Sequence, residues 1–141
     1  MVKKPKIVIR KGKKKTAVSR VRIKEGKGTF RINKKLAENY NPEYSRDIIL
    51  EPIAIASEIL GKNFIENIDI SANIKGGGYM SQAHACRTAL GKALVEWTGS
   101  EDLKKKFLEY DRSLLVSDVR QKESKKFLRK GARAKPIKSY R

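Results

Sequence analysis

The sequence predicts an α+β layout, with helices on a small sheet and a long extended basic C-terminal arm. Three observations carry this. Residues 17–24 and 68–75 alternate apolar and polar side chains with a period of two. Residues 80–97 carry an apolar stripe at helical spacing. The last 22 residues hold ten Lys/Arg against one Glu, with little that could be buried.

Residues 6–10, Lys-Ile-Val-Ile-Arg, are a short strand. Ala17, Ser19, Val21 and Ile23 share one parity, and Val18, Arg20, Arg22 and Lys24 share the other, so this strand has a largely basic outer face. Glu25-Gly26-Lys27-Gly28 is turn chemistry, and Thr29–Asn33 returns with Phe30 and Ile32 on one face, which reads as a hairpin. Residues 33–44 are polar and read as irregular or as one weak helical turn. Pro52 suits the first turn of a helix, with Ile53, Ala56 and Leu60 on one stripe and Gly61 at its C-terminal cap. Ile68, Ile70, Ala72 and Ile74 then alternate with Asp69, Ser71, Asn73 and Lys75, the strongest strand signal in the chain. After Gly76-Gly77-Gly78 a helix of about five turns runs over Met80–Trp97. Its stripe is Ala83, Cys86, Leu90, Ala93, Leu94 and Trp97. Gly99 stops it, and Ser100 caps a further helix over Glu101–Glu109. Leu114-Leu115-Val116 is the last apolar anchor. The expected division is a body over 1–118, with a basic N-terminal segment, and an arm over 119–141. Fully extended, the last 22 residues would reach ~70 Å at ~3.3 Å each.

The chain has 141 residues and a formal net charge of +19. Residues 1–24 hold eleven Lys/Arg and no acid, residues 120–141 carry +9, and the body between them is nearly neutral. Basic ends on a neutral body read as phosphate-binding arms. A polyanion is therefore the expected partner. Nucleic acid is favoured over an anionic membrane surface, since no apolar face or lipidation motif accompanies the charge. One Cys and one His exclude a disulfide framework within the chain and a Cys/His zinc cluster, and no metal or cofactor is expected. No stretch approaches the ~18 apolar residues of a membrane span, and Ile7-Val8-Ile9 is too short for the core of a signal peptide. A soluble, non-exported protein is expected.

Several residues could carry chemistry. Lys11–Lys15 with Gly12 is a mobile basic cluster whose charge continues along the next strand through Arg20, Arg22 and Lys24, as registered phosphate contacts require. Gly76–Gly78, between a strand and a helix, matches neither nucleotide-loop pattern. It reads either as a tight turn packed on backbone or as a place of close approach by an RNA backbone. His84 and Arg87 lie one turn apart, but neither Ser81 nor Cys86 completes a triad with them, and Cys86 reads as a core residue. Glu51, Glu58 and Asp69 read as surface charges or partners of local cations. Lys138-Ser139-Tyr140-Arg141 sets cations around an aromatic ring, so phosphate pairing and base stacking are both available there.

Three blocks, in order, resemble the universal small-subunit ribosomal protein nine family. Gly12-Lys13-Lys14-Lys15-Thr16-Ala17-Val18-Ser19-Arg20-Val21 is close to G-R-R-K-T-A-x-A-R-V. Gly76-Gly77-Gly78-Tyr79-Met80-Ser81-Gln82-Ala83 is close to G-G-G-x-x-G-Q-x. Asp118, Arg120, Glu123, Lys125 and Lys126 fit D-x-R-x-x-E-x-K-K, with Ala132-Arg133 and Ser139-Tyr140-Arg141 following. Leu50-Glu51-Pro52 and the Ser-Tyr-Arg ending look like archaeal or eukaryotic members. Departures are Ser81 for the family's Gly, Ile137 where Gln is common, and Phe127-Leu128, which is more apolar than the family's usual arm and reads as a stretch that packs on protein.

The resemblance implies a small mixed sheet backed by helices in two layers, and no enzymatic activity. It implies a place on the head of the small subunit, bound to the 3′ major domain of ribosomal RNA beside neighbouring ribosomal proteins, in the cytoplasm, as a single copy and not a homo-oligomer. The ribosomal-RNA contacts it implies are Lys11, Lys13, Lys14, Lys15, Arg20 and Arg22, then Gly76, Gly77, Gly78 and Arg112, then Arg120, Lys122, Lys125, Lys126, Arg129, Lys130 and Arg133. Contact with P-site transfer RNA falls by position on Lys138, Ser139, Tyr140 and Arg141. The competing readings are a free DNA-binding protein, which the same charge would serve, and a phosphotransferase using Gly76–Gly78.

Overall fold

The computed structural model describes residues 6–135 and 138–139, with Lys62 described by its backbone alone. Among the described residues five strands form one mixed sheet in the order β1-β2-β5-β3-β4, and the helices cover a single face of it. The α+β class read from the sequence is the class observed.

Strands β1 (Ile7–Lys14) and β2 (Ala17–Glu25) form an antiparallel hairpin that turns through Lys15 and Thr16, with Lys14 opposite Ala17. Two expectations are corrected here. The first strand is eight residues long and does not stop at Arg10, so Lys11–Lys14 belong to a strand and are not a mobile approach to one. Its inward parity shows Val8 and Gly12 but no apolar run, so periodicity could not reveal it.

Residues 17–33, expected as a hairpin, do not pair with one another. Strand β2 does not pair with β3 (Phe30–Ile32), because β5 (Ile68–Lys75) lies between them. The segment after β2 steps over the start of β5. Gly26 N donates to Asn67 O at 3.0 Å, and the Asp69 carboxylate accepts from Lys27 N at 3.0 Å and Thr29 N at 3.1 Å. Strand β5 pairs antiparallel with β2 over eight residues, from Val18–Lys75 to Glu25–Ile68, which three-residue β3 could not match. Strand β3 runs parallel to β5 on its other edge and turns through Asn33 and Lys34 into β4 (Lys35–Leu36). Both turn residues have positive φ, as a two-residue hairpin of the type I′ kind requires. Asn33 extends the β3–β5 pairing with its side chain, accepting from Ile74 N at 2.8 Å.

Helix α1 spans Glu43–Leu60, so Pro52 lies inside it and does not begin it. The buried positions Ser45, Ile49, Pro52, Ile55 and Ala56 form one stripe that starts before the proline. Losing one backbone hydrogen bond there is offset by burying the ring. Short α2 (Lys62–Glu66) leads into β5. Helix α3 (Tyr79–Thr98) runs under β1 and β2, with α1 beside it, and buries all six residues of its expected stripe. Gly99 ends it in the left-handed region at φ 66°. Helix α4 (Glu101–Tyr110) starts at Ser100, whose hydroxyl accepts from Leu103 N, and buries Leu103 and Phe107. A 3₁₀ turn over Arg112–Leu114 buries Leu114, while Val116 is exposed.

Between α1 and α3 the core takes in one ion network. Arg87, 6% exposed, lies 2.5 Å from Glu51 and 2.8 Å from Asp111, and reaches Ser113 Oγ at 3.0 Å. Glu51 is thus a partner for a local cation, one of the two roles its sequence context suggests.

Candidate nucleic-acid interface

The uncovered face of the sheet collects the outward parity of every long strand. Register sets the side chains in rows across it. Ile9, Arg22, Ser71 and Arg31 form one row; Lys11, Arg20 and Asn73 the next; Lys13, Val18 and Lys75 the third. Rows are about 6.7 Å apart along the strands. Ile9, Arg20, Arg22, Arg31, Ser71, Asn73 and Lys75 from these rows line an open concavity of about 660 Å³, bordered also by Lys34. Asp69 is the carboxylate on this face, and it is already engaged. The amides of Lys27 and Thr29 hold it below the usual carboxylate range, and Lys24 adds to this at 3.3 Å. The field of the face is therefore left to Lys and Arg.

The hairpin tip, the glycine loop and the root of the arm meet at one end of the sheet. Lys15 N donates to Asp118 O at 2.9 Å, Asp118 N donates to Lys13 O at 2.9 Å, and Lys14 Nζ lies 3.2 Å from the Asp118 carboxylate. Gly76 and Gly77 adopt φ 76° and 68°. A Cβ on Gly76 would come within 2.8 Å of Thr16 O, and one on Gly77 within 2.9 Å of Ala17 Cβ. These two glycines therefore have a packing reason at the hairpin turn. Gly78 differs: nothing lies within 4 Å of where its Cβ would be. Gln82 braces the loop by donating to Gly76 O at 3.2 Å. His84 stands near the same end, its pKa lowered first by burial and then by Lys14 and Arg87, so it favours the neutral form.

The arm's predicted residues are spread along an exposed segment. Among the described residues from Val119 to Lys135 there is no helix or strand, only a turn closed by Arg129 N donating to Lys126 O at 3.2 Å. Arg120 forks onto Asp118 at 3.0 and 2.9 Å, and Arg133 reaches Glu123 at 3.0 Å. Both arginines stay largely exposed and keep donors free. Lys122, Lys125, Lys126 and Lys130 are exposed, as is Arg112 at the start of the 3₁₀ turn. Lys138 and Ser139 are exposed, while Tyr140 and Arg141 lie outside the described residues.

Arg31, Lys34 and Lys75 complete the face and were not among the predicted contacts. Their parity was visible, since Arg31 alternates with Phe30 and Ile32, and Lys75 with Ile74. What was missing was the strand order that brings them beside Arg20 and Arg22. The arrangement sets Arg22 and Arg31, Lys11 and Arg20, and Lys13 and Lys75 in register on an open surface. Cys86 is fully buried, and burial pushes its thiol up to about 12. Among the described residues no three His, Cys, Asp or Glu cluster closely enough for a metal, and no helix is long and apolar enough to cross a membrane.

The fold and this surface define a small two-layer α+β protein whose open face, hairpin tip and C-terminal segment carry exposed Lys and Arg side chains. The chain belongs to the ribosomal protein S9/S16 family, which it matches over residues 12–141. It is 51% identical over 138 residues to the small ribosomal subunit protein uS9 of Methanococcus maripaludis, covering 96% of this chain and 99% of that protein. It is 49% identical over 136 residues to the small ribosomal subunit protein uS9 of Methanothrix thermoacetophila, with the same coverage.

Proposed function

We propose that this chain is a structural, non-enzymatic constituent of the small ribosomal subunit in the cytoplasm. It works as a single copy among neighbouring ribosomal proteins, with a body over 1–118 and an arm over 119–141. The body holds ribosomal RNA of the subunit head, and the last residues reach transfer RNA in the P site. The observation that carries this is the family match, which extends from residue 12 in the basic hairpin to residue 141.

The chemistry supports it. RNA helices are recognised largely through shape, phosphates and 2′-hydroxyls, which ask for cations in register more than for base-reading groups. The rows Ile9–Arg22–Ser71–Arg31 and Lys11–Arg20–Asn73 offer such a register. Gly78 allows a close approach beside the Lys13–Lys15 tip. Binding to RNA would also neutralise the repulsion that the two basic ends impose on the free chain.

A sucrose gradient of the tagged protein tests the subunit assignment. It should travel with whole ribosomes at high magnesium and with the small-subunit peak at low magnesium, surviving a moderate salt wash. Protein left at the top of both gradients, or lost on DNase treatment, would sink the assignment in favour of DNA binding. Deleting residues 138–141 should leave assembly intact and weaken P-site transfer RNA. Unchanged transfer-RNA affinity across several salt concentrations would count against the tail's role.

A further inference from the structure

Phe127 and Leu128 are the most exposed large apolar residues among those described, at 90% and 86%. They sit side by side at the corner of the turn closed between Lys126 and Arg129. Leu128 has φ 61°, a left-handed conformation that a branched side chain seldom adopts without a partner to hold it. The corner thrusts both side chains away from the chain, and the described part of the body does not cover them.

Their surroundings say what would cover them. Residues 124–130 hold four cations, Lys125, Lys126, Arg129 and Lys130, and no acid. The acid before them, Glu123, is paired with Arg133. An apolar pocket on a protein would have to admit the ring with these four cations around its rim, none of them in an ion pair among the described residues. A nucleotide offers a flat apolar face and, on the same unit, a phosphate. Phe has no polar atom with which to read a base edge, so its contact would be stacking, which every base supports. Unstacked bases of single-stranded RNA are where proteins make such contacts.

We propose that Phe127, backed by Leu128, is a stacking site for an unpaired RNA base, with Lys125, Lys126, Arg129 and Lys130 holding the adjoining phosphates. This rests on the arm being an RNA-binding element and assigns it a base contact in addition to its charge. Stacking and charge separate experimentally, because only the phosphate contacts release counterions.

The full-length chain, Phe127→Ala and Phe127→Trp would each be titrated with 3′ major domain ribosomal RNA over a range of salt. Phe127→Ala should bind about tenfold more weakly at every salt concentration with an unchanged salt slope. Phe127→Trp should restore binding. Equal affinity for the wild-type chain and Phe127→Ala would overturn the proposal. A photoreactive phenylalanine at position 127 in assembled small subunits should crosslink to ribosomal RNA. A crosslink to protein alone would overturn the stacking site and assign the knob to a neighbouring protein, leaving the RNA-binding body untouched. A wild-type chain that failed to bind the RNA would overturn both.

Discussion

Asp118 faces Lys14 across a parallel bridge, with backbone hydrogen bonds to Lys13 O and Lys15 N, and its carboxylate pairs with the Lys14 ammonium at 3.2 Å. The arm therefore leaves the body from the tip of the basic hairpin. Its direction is set further by the fork of Arg120 onto the same carboxylate. The Arg120 side chain and amide, with Lys14, hold Asp118 far below the usual carboxylate range, so it stays ionised through any physiological change of pH. Asp118→Ala should free the arm while sparing the body. Trypsin should then cut after Arg120 and Lys122 several-fold faster, with no change in melting temperature. Equal cutting rates would mean that the backbone bridge alone sets the arm's root.

Two glycines should behave oppositely. A Cβ on Gly12 would come within 2.1 Å of Ala85 O and 2.5 Å of Ala89 N, both backbone atoms of α3. Gly12→Ala must lift β1 from the helix, at about 2–3 kcal/mol and about 10 °C in melting temperature. Gly78 has φ −90° and ψ 169°, which any residue adopts, and open space around its Cβ position. Gly78→Ser also supplies a good N-cap residue for α3, so melting should be unchanged or slightly raised. A loss of ribosomal-RNA affinity in Gly78→Ser would then report a lost close approach and not a damaged fold. Full affinity would remove Gly78 from the interface.

Much of this was legible in the residues, and the gaps have physical causes. Strands β2 and β5 announced themselves because one face of each is buried and the other wet, and α3 because its stripe is continuous. Strand β1 was half hidden because Gly12, its key inward residue, acts through the absence of a side chain. The start of α1 was misplaced because Pro52 prefers a first turn, and only tertiary burial of its ring shows why it is tolerated further in. Strand order was the larger gap. Alternation gives each strand's faces but not its neighbours, so Arg20 and Arg22 could be chosen while Arg31, Lys34 and Lys75 could not. For the arm, charge gave the chemistry, and no local pattern could show that Arg120 and Arg133 are engaged with Asp118 and Glu123.

Acid should reveal the network around Arg87. Burial pushes the Asp111 carboxyl up, but the Ser113 hydroxyl and amide and the Arg87 guanidinium outweigh it and hold it at about 2. A depressed carboxylate contributes stability that is fully present above its unfolded value near 4 and fades as the pH falls towards 2. Wild-type melting temperature should therefore drop over that window, and Asp111→Asn should flatten part of the drop. Parallel profiles for the two proteins would refute this role. Arg87→Leu should be harsher at neutral pH, because it leaves Glu51 and Asp111 without their shared cation. Because the Glu51 and Asp111 carboxylates left behind are 25% and 38% exposed, the loss should stay below the ~3 kcal/mol lower bound for breaking a fully buried pair.

Arg22 and Arg31 occupy one row across the open sheet face, either side of Ser71 on β5. If both meet phosphate, replacing them by glutamine should leave the fold intact, since neither contributes to the core, and should reduce the dependence of binding on salt. Each lost phosphate contact lowers the log–log slope by roughly 0.7–0.9. The double variant should therefore show a slope smaller by about 1.5, with the greatest loss of affinity at low salt. Lys105 and Lys106, exposed on α4, supply the control. They carry the same charge on the helical side of the molecule, and Lys105→Gln with Lys106→Gln should leave the slope unchanged. Equal changes in the two double variants would mean that the RNA responds to net charge alone and that the open face holds no register. A change confined to Arg22 and Arg31 would locate the phosphate track on the sheet, running from there to the Lys13–Lys15 tip where the arm begins.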